Sequence, residues 1–552
     1  MIPGGHQNIN QNDIKEVIKA LKSDWLTQGP KVLEFERALA DYCGVKYAVA
    51  VNNGTAALHL AYLAAGLKPG DEVITSPNTF AATTNMMLNV GARPVFCDIR
   101  LDTYNIDEKK IEKLITKRTK AIVPVHFAGQ ACEMTAIHEI ARKYKFLIIE
   151  DACHALGAKY RDAKIGACRY SDMVIFSFHP VKSITTGEGG AILTNNKKYF
   201  KKMVSLRSHG IHKDKNRKNI MTELGFNYRI TDIQTALGVS QLKKLNGFIK
   251  KRQQIIKWYE QELKNVKQII LPLELMGDCS AWHIYVIRTA NSADRDKLAN
   301  FLKNKGIGVN FHYPAVYSHP YYRKNGYNGL KLVNEEIYQN SCITLPCYVN
   351  LAEKEIKFIG GSIKKYFMAN EKKSGKNEDQ IEKIMGERVY LRKLISADTS
   401  PDYCSWLNDR EVNKYLETRK STMAELKKYV IEKSSQFDCL LVGIFDKKTD
   451  LHIGNIKLEP IDWRRKKATY GILIGNKNYW GKGIGEEATK LIIEYAFRKL
   501  GLESIELGVI PQNKNAVKLY KKLKFRVKKI EKKAVNHDGI LHNQIIMYIK
   551  NN

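Results

Sequence analysis

The stretch FSFHPVKSITTGEGG, residues 176–190, places a lysine in a turn-rich segment between two apolar runs. MVIFSF overlaps its start and AILT follows it, so strands are predicted on both sides of the turn. A lysine ammonium is strongly hydrated and is usually exposed. In a chain with 90 Lys and Arg residues, surface exposure is the simplest interpretation of Lys182, and other features of the sequence have to argue against it.

Short runs rich in Val and Ile alternate with helical patterns between residues 49 and 194. These runs read EVIT (72–75), PVFCD (94–98), AIVPVH (121–126), FLIIED (146–151) and MVIFSF (173–178). Their hydrophobicity is continuous rather than alternating, which predicts an α/β domain with a sheet buried on both faces. Ligands bind at the carboxyl ends of the strands in such sheets.

Polar residues follow several of these strands. NNGTAALHLAYLAAG predicts a turn and then an amphipathic helix from about residue 55 to 65, with Gly66 as its stop. Gly54 and Thr55 at the helix start offer N–H groups and a hydroxyl to a phosphate, although Asn53 or Thr55 could simply cap the helix.

Two further strands are followed by groups of reactive side chains, namely Glu150, Asp151 and His154 after one, and Ser177, His179 and Lys182 after the next. A lysine that acts as a Schiff-base nucleophile must be desolvated or otherwise tuned so that neutral amine is accessible. A carboxylate such as Asp151 is what a pyridoxal phosphate site needs against the pyridine nitrogen.

Six motifs in one order carry a resemblance to a known family. They are NNGTAAL, SPNTFAATTNM, EDACHALGA, FSFHPVKSITTGEGG, LRSHGI and ELGFNYRITDIQTALGVSQL. Over residues 5–368 they resemble the DegT/DnrJ/EryC1/StrS sugar aminotransferases, pyridoxal phosphate enzymes of fold type I. The resemblance implies a unit of residues 1–368, with a large α/β/α domain over about 1–248 and a small α+β domain over about 249–368.

The resemblance also implies roles for single residues. Lys182 would form a Schiff base with pyridoxal 5′-phosphate and shuttle a proton, and Asp151 would pair with the pyridine nitrogen. Gly54, Thr55 and Ser177 would hold the phosphate, Phe80 and His154 would contact the two ring faces, and Asn227 would reach the phosphate from the neighbouring subunit of a homodimer. Dehydratase relatives have histidine in place of the lysine, so this lysine favours transamination.

The later part of this unit indicates the substrate by the same kind of likeness. FHYPAVYSHPYYRKNGY (311–327) and SCITLPCYVNL (341–351) resemble transaminases of pseudaminic acid synthesis, which aminate a UDP-4-keto-6-deoxy amino sugar with L-glutamate. The candidate sugar contacts are Arg229, His312, Tyr313 and His319. Packing or a local hydrogen bond is the alternative for each. Another 4-keto sugar, of the legionaminic acid or viosamine type, is the alternative substrate.

A second unit follows a change in composition. ANEKKSGKNEDQIEKIMGE, residues 369–387, has almost no large apolar side chain and predicts a linker. RVYLRKL then starts a new unit over residues 388–552. In ATYGILIGNKNYWGKGIGEEATKLIIEYAF, a glycine-rich turn (480–485) between strand and helix could bind a pyrophosphate through backbone N–H groups.

With IELGVIPQNKNAVKLYKKLKF downstream, this segment resembles motifs A and B of the GCN5-related (GNAT) N-acetyltransferases, an α/β fold. The resemblance implies that Gly481, Gly483 and Gly485 bind the pyrophosphate of acetyl-CoA, that Asn513 contacts the pantetheine arm, and that Tyr520 protonates the departing thiolate. The alternative for Tyr520 is a core aromatic. No general base is evident; Glu459 could act through water, but a structural role is favoured.

The composition limits the possible partners. The net charge of +33 is spread along the chain without a recognition helix, so we expect small anionic ligands and no specific nucleic acid. The ten cysteines show no zinc spacing, so neither a metal nor a disulfide framework is expected. No apolar run approaches the ~20 residues of a membrane helix, which predicts a cytoplasmic protein without membrane insertion.

Taken together, the two motif sets predict a bifunctional enzyme that makes an amino sugar and acetylates it. A pyridoxal-phosphate-binding regulatory protein, with a second unit that acetylates protein termini, is the rival from another class.

Overall fold

The computed structural model describes residues 1–378, 383–415, 420–436, 438–463, 465–537 and 540–551. The chain forms two compact units, Met1–Ala369 and Asn370–Asn552. The last helix of the first unit continues to Glu378, so the start of the predicted linker is helical, and residues 379–382 of that linker lie outside the described residues.

The first unit combines twelve helices and fourteen strands among its described residues. The helices are α1 Gln11–Leu21, α2 Pro30–Cys43, α3 Gly54–Ala64, α4 Ala82–Asn89, α5 Glu108–Ile111, α6 Met134–Tyr144, α7 Lys197–Arg207, α8 Asp232–Leu263, α9 Arg295–Asn304, α10 Pro320–Tyr322, α11 Val333–Gln339 and α12 Glu353–Glu378. The strands are β1 Tyr47–Val51, β2 Glu72–Thr75, β3 Arg93–Phe96, β4 Thr119–Val123, β5 Leu147–Asp151, β6 Lys159–Tyr160, β7 Ala163–Lys164, β8 Met173–Ser177, β9 Gly190–Thr194, β10 Ile211–Lys213, β11 Asn219–Met221, β12 Ile269–Ile270, β13 Tyr285–Thr289 and β14 Cys342–Leu345.

The main sheet is seven-stranded in the order β1-β9-β8-β5-β4-β2-β3. The strands from β8 to β3 are parallel, and β9 is antiparallel to both of its neighbours. Every residue of β2 and β9 is buried, which is why these runs are apolar without alternation. The predicted amphipathic pattern of α3 is wrong, because all residues from Ala56 to Tyr62 are buried between the sheet and other helices.

The long helix α8 connects two apolar cores of the first unit. Its first half contributes Val239 and Leu245 to the core of the main sheet, and its second half contributes Ile255 and Tyr259 to a core beside the β12-β13-β14 sheet. The first unit therefore has a large part and a small part joined by one continuous helix.

The second unit contains an eight-stranded sheet in the order β15-β16-β17-β18-β19-β20-β22-β21. Its helices are α13 Pro401–Asn408, α14 Met423–Ser435, α15 Ile484–Arg498 and α16 Lys514–Lys522, and its strands are β15 Ile384–Met385, β16 Val389–Lys393, β17 Leu440–Asp446, β18 His452–Asp462, β19 Lys467–Ile474, β20 Ser504–Val509, β21 Arg526–His537 and β22 Ile540–Lys550. Among the described residues of the chain, no helix is long and apolar enough to cross a bilayer.

The strands β19 and β20 are parallel neighbours that separate along their length. They pair only from Lys467 to Thr469 on β19 and from Ser504 to Glu506 on β20, although both strands continue further. The helices α15 and α16 follow these two strands. A wedge between the carboxyl ends of β19 and β20 therefore lies where the predicted acetyl-CoA residues are.

Candidate active sites

The turn that carries Lys182 is closed by its own backbone. The N–H of Phe178 donates to the carbonyl of Gly189 (2.8 Å) and the N–H of Thr186 donates to the carbonyl of Phe178 (3.0 Å), so the turn begins and ends at one point on the sheet. A Cβ on Gly190 would lie 2.5 Å from the carbonyl oxygen of Asn53. The glycines after the lysine therefore let β9 contact the backbone of the Asn53 turn, which brings two distant motifs together.

A cavity of about 1040 Å³ opens at this point of the first unit. Ten predicted site residues line it: Gly54, Thr55, Phe80, Asp151, His154, Ser177, Lys182, His312, Tyr313 and His319. Asn227 and Arg229 do not line it; Asn227 is exposed, and Arg229 pairs through its backbone with Val51. For Arg229 the structure gives no support to a contact with substrate inside its own subunit.

The sequence predicts Glu150 and Asp151 after a strand, but they are the last two residues of β5. Their carboxylates face different surroundings, because successive residues of a strand point to opposite sides. Asp151 faces the cavity, whereas Glu150 lies 2.6 Å from His126 Nε2 on the other side. Asp151 Oδ2 accepts a hydrogen bond from Thr83 Oγ1 (2.7 Å), and Thr79 Oγ1 lies 2.8 Å from Thr83 Oγ1. Since the carboxylate can only accept, Thr83 donates to Asp151 and Thr79 donates to Thr83.

Burial lowers the pKa of the Lys182 ammonium below its usual value, while the nearby Asp151 carboxylate acts in the opposite direction. The amine is therefore more accessible in its neutral form than an ordinary surface lysine. Lys182 is half-buried rather than fully exposed, and the turn places its side chain in the cavity, so it is not an ordinary surface lysine.

Five histidines line the cavity, and three of them, His154, His283 and His312, are favoured in the neutral form. Burial lowers the pKa of His154 and His283 well below the usual value, with the Lys182 charge adding to the effect, and it lowers the pKa of His312 to about 4. The rings of His154 and His283 have centroids 4.3 Å apart. His283 lies in the sequence AWHIY, just before β13, and the sequence does not predict it to belong to the site.

The hydrogen bonds of His154 define its tautomer. Its Nδ1 accepts from the backbone N–H of Ala128 (3.3 Å), and its Nε2 lies 3.2 Å from the hydroxyl of Tyr313. A backbone N–H can only donate, so in the neutral ring Nε2 carries the proton and donates to Tyr313. Phe80, which is 63% exposed, has its ring centroid 6.2 Å from that of Tyr313.

Three small residues of the cavity wall, Gly54, Thr55 and Ser177, lie together at the start of α3 and are called the Gly54 cradle. A Cβ on Gly54 would lie 3.0 Å from the Cβ of Ser177, so only glycine fits between the helix and the strand end without a shift. Asn53 caps α3 by accepting from the N–H of Ala56 (2.8 Å), which leaves the hydroxyl of Thr55 exposed. The cap predicted for Asn53 and a phosphate site at Gly54 and Thr55 are therefore compatible.

The second unit places its predicted residues around the wedge. Gly481 and Gly483 have φ of 74° and 76°, a backbone region that favours glycine, and Gly485 lies inside the first turn of α15. A Cβ on Gly485 would lie 3.9 Å from Leu519 of α16, so the glycine turn and α16 are close together.

Asn513 and Tyr520 lie on α16, which follows β20: Asn513 is the N-cap of the helix, and Tyr520 lies within it. Asn513 Oδ1 caps α16 by accepting from the N–H of Ala516 (3.2 Å), so its amide N–H₂ is the group left for a ligand. Tyr520 is buried against Tyr470 with ring centroids 6.1 Å apart, and burial raises its pKa to about 12. Its hydroxyl is therefore protonated at neutral pH and can donate a proton.

Glu459 lies between two lysines rather than free in solution. Its carboxylate contacts Lys433 and Lys457, the latter at 2.7 Å. Burial acts to raise the pKa of Glu459, but the hydrogen bonds from both lysines outweigh it, so the pKa lies below its usual value. An acid held ionised in this way is a weak base, which favours the structural role.

Comparison with known proteins defines the class of each unit. Residues 7–364 match the DegT/DnrJ/EryC1/StrS aminotransferase family, and residues 388–526 match the acetyltransferase (GNAT) domain. The chain belongs to the DegT/DnrJ/EryC1/StrS aminotransferase family and has a GNAT domain at its C-terminus; it is a transferase.

Particular relatives are similar to the first unit. The UDP-4-amino-4,6-dideoxy-N-acetyl-beta-L-altrosamine transaminase of Campylobacter jejuni is 42% identical over 364 residues, which cover 65% of this chain and 96% of that protein. GDP-perosamine synthase of Caulobacter vibrioides is 39% identical over 352 residues, covering 63% and 93%. The structure of Helicobacter pylori PseC, an aminotransferase involved in the biosynthesis of pseudoaminic acid, is 35% identical, with a TM-score of 0.64, covering 67% of this chain and 99% of that chain.

The residues of the first cavity fit the cofactor of this family. A pyridine nitrogen needs a carboxylate, which Asp151 supplies in a fixed orientation, and a phosphate needs small groups and free N–H donors, which the Gly54 cradle supplies. The glycine turn and the protonated Tyr520 fit acetyl-CoA in the second unit.

Proposed function

We propose that the first unit transfers an amino group from L-glutamate to C4 of UDP-2-acetamido-2,6-dideoxy-β-L-arabino-hexos-4-ulose, and that the second unit acetylates this amine with acetyl-CoA. The product is UDP-2,4-diacetamido-2,4,6-trideoxy-β-L-altrose, a precursor of pseudaminic acid. The observation that carries the proposal is that one chain joins a relative of altrosamine transaminases to an acetyltransferase, and the amine made by one is the substrate class of the other.

In the first unit, bound pyridoxal phosphate supplies an electron sink for the bonds at C4 of the sugar. Asp151 holds a proton on the pyridine nitrogen, and the chain of hydroxyls from Thr79 through Thr83 fixes the orientation of its carboxylate. Lys182 Nζ would carry the proton between C4′ of the cofactor and C4 of the sugar, a role that its lowered pKa favours. Gly54, Thr55 and Ser177 bind the phosphate.

His154 covers one face of the bound ring as a neutral group. Its burial and the Lys182 charge keep the imidazole uncharged, so it does not oppose the proton on the pyridine nitrogen. The hydrogen bond to Tyr313 fixes the ring plane. Phe80 contacts the other face of the cofactor, and His312, Tyr313 and His319 contact the sugar, since all three line the same cavity.

The active form of the first unit is a homodimer with a shared cofactor site. Asn227 is exposed and lies outside its own cavity, which suits a side chain that completes the phosphate site of a neighbouring subunit. A variant Asn227→Ala should weaken cofactor binding without changing the environment of Lys182 in its own subunit.

In the second unit, Tyr520 donates its proton to the thiolate of CoA as the neutral amine attacks the thioester. Asn513 contacts the pantetheine arm through its free amide N–H₂, and the glycine turn binds the pyrophosphate. The wedge between β19 and β20 gives the acetyl group a path to the amine, because the two strands are not paired beyond their first residues.

Mass spectrometry of reaction products tests the proposal. The full chain is incubated with pyridoxal phosphate, L-glutamate and the UDP-4-keto sugar, before and after acetyl-CoA is added. Amine followed by N-acetyl product is expected. Amine without acetylation would contradict the acetylation step, and no product would contradict the choice of sugar.

A second candidate is the same pair of steps on another nucleotide-linked 4-keto-6-deoxy sugar. The similarity to a GDP-perosamine synthase favours it, because that enzyme is 39% identical over 352 residues. Parallel assays with the D-gluco epimer and with GDP- and dTDP-linked ketones distinguish the candidates by relative kcat/KM.

A further inference from the structure

Arg388 contacts the glycine turn of the second unit (residues 480–485) through the carbonyl oxygens of the turn. Its Nη1 donates to the carbonyl of Lys482 at 2.5 Å, and its Nη2 makes a longer contact of 3.5 Å with the carbonyl of Gly483. Its Nε donates to Glu487 Oε2 at 2.9 Å. One guanidinium therefore connects two successive peptides of the turn to the first turn of α15.

These contacts define the direction of the N–H groups in the turn. In a planar trans peptide the C=O and the following N–H point in opposite directions. Because Arg388 holds the carbonyl of Lys482, the N–H of Gly483 is directed away from the arginine. The carbonyl of Gly483 also accepts from the N–H of Glu487 at 3.2 Å, so the start of the helix itself directs the N–H of Ile484. Within the described residues the N–H of Gly483 has no acceptor, and that of Ile484 belongs to the first helical turn, where no intrahelical acceptor exists.

The arginine is itself held at two points. Glu487 Oε1 accepts from the backbone N–H of Arg388 (2.8 Å) and of Val389 (3.2 Å). Burial acts to raise the pKa of Glu487, but the hydrogen bonds from Arg388 outweigh it and keep the pKa below its usual value. Since the Arg388 side chain is 53% exposed, its main contribution is this set of polar contacts rather than core packing.

We propose that Arg388 is a positioning residue for the pyrophosphate of acetyl-CoA. It holds the carbonyl of Lys482 away, so that the N–H of Gly483 faces the anion beside the N–H that the helix start directs from Ile484. The inference rests on the proposed function of the second unit. A planar guanidinium can bridge a carboxylate and two carbonyls at once, whereas a lysine ammonium cannot reproduce this geometry.

The test measures the binding of three ligands to the full chain by calorimetry and competition. Acetyl-CoA and acetyl-dephospho-CoA both have the pyrophosphate, but only the first has the 3′-phosphate; acetyl-pantetheine has neither. For Arg388→Met and Arg388→Lys we expect Kd to rise about tenfold for the two pyrophosphate ligands, the size of one misdirected hydrogen bond to a charged group, with no change for acetyl-pantetheine.

A matched control removes a positive charge from the far end of α15, the helix whose first turn Arg388 contacts. Arg498 is 78% exposed and pairs with Glu494 at 2.9 Å, and it ends α15, which begins at Ile484. Arg498→Met should leave all three dissociation constants unchanged. A rise in Kd for this variant would attribute the effect to net charge and overturn the inference.

Each remaining outcome is also decisive. Binding by Arg388→Lys that matches the unsubstituted protein would show that charge suffices, and a loss confined to acetyl-CoA would show a direct contact with the 3′-phosphate; either would overturn the positioning role. A loss that includes acetyl-pantetheine would show general damage to the wedge, with the same consequence. If the unsubstituted protein binds none of the ligands, the proposed acetyltransferase function fails rather than the role of Arg388 within it.

Discussion

The two units build their candidate sites by different means. In the first unit, side chains from the ends of several strands converge in a cavity of about 1040 Å³, and burial shifts the pKa of Lys182 and of the three histidines. In the second unit, the groups are backbone N–H donors of one glycine turn beside a wedge between strands. A side-chain site depends on single residues, whereas a backbone site depends on what orients the peptide.

The largest expected effect is that of Lys182→Ala. This variant removes the amine that we propose carries the proton to C4 of the sugar, so amine formation should fall below detection, and the visible absorption of the protein–cofactor adduct should vanish. Acetylation of separately supplied amino sugar should continue, because the residues that carry it belong to the second unit. Product mass spectrometry with each substrate measures both steps.

The exposed Lys15 is the control for this substitution, since it is a lysine of the same unit without a place in the cavity. Lys15→Ala should leave both steps intact. Amine formation by Lys182→Ala at a rate close to that of the unsubstituted protein would rule out the proposed role of the turn.

The next effect in size is that of Tyr520→Phe in the second unit. The pKa of about 12 keeps the hydroxyl protonated, so its loss removes the proposed acid for the thiolate and should lower kcat of acetylation by about 100-fold, with Kd for acetyl-CoA unchanged. Because the acid stays protonated, the rate should rise with pH until the attacking amine is neutral and then level off well below pH 12.

Tyr470→Phe is the matched control in the same aromatic cluster. The Tyr470 hydroxyl contacts Thr489 Oγ1 at 2.7 Å and is buried, so its loss affects stability rather than proton transfer. An equal fall in kcat for both variants would mean that Tyr520 is only a core aromatic.

The sequence predicted those parts of the fold and sites that depend on local pattern. EVIT and MVIFSF were placed on strands because buried parallel strands are apolar at every position, and β2 and β8 confirm this. Glycines at positive φ could likewise be expected at residues 481 and 483. The roles assigned to single residues from the resemblance remain predictions.

The sequence could not predict contacts that join distant segments. Thr83 lies within a quoted motif, but its bond to Asp151 spans 68 positions, and Arg388 lies 94 positions before the carbonyl that it holds. The amphipathic pattern assigned to α3 was wrong because the neighbours that bury its outer face are set by tertiary packing. Tertiary neighbours thus decide which of several similar polar residues acts in a site.

A smaller effect is expected for Thr83→Val, which removes the hydrogen bond that orients Asp151. One hydrogen bond is worth roughly 1 kcal/mol, so kcat of transamination should fall about fivefold while the lysine–cofactor adduct still forms. Thr84→Val is the control, because Thr84 is buried in the same helix and contacts Tyr322 (2.6 Å) instead of Asp151. Equal losses for the two variants would point to helix packing and not to the orientation of the carboxylate.

The smallest effect concerns how the stability of the first unit depends on pH, which His312 in the cavity influences. The pKa of His312 is about 4 in the folded protein, because of burial and the Lys182 charge, and about 6.5 when unfolded. The unfolded chain therefore binds the proton first as the pH falls, so this stabilisation is complete above pH 6.5 and is lost between pH 6.5 and about 4. His312→Asn should flatten part of that fall in the thermal unfolding midpoint, while the remaining slope reflects His154 and His283, whose pKa values are also lowered. The exposed His6 offers the control, since His6→Asn should leave the profile unchanged, and a slope that persists in full in His312→Asn would contradict a neutral, buried imidazole at the cavity wall.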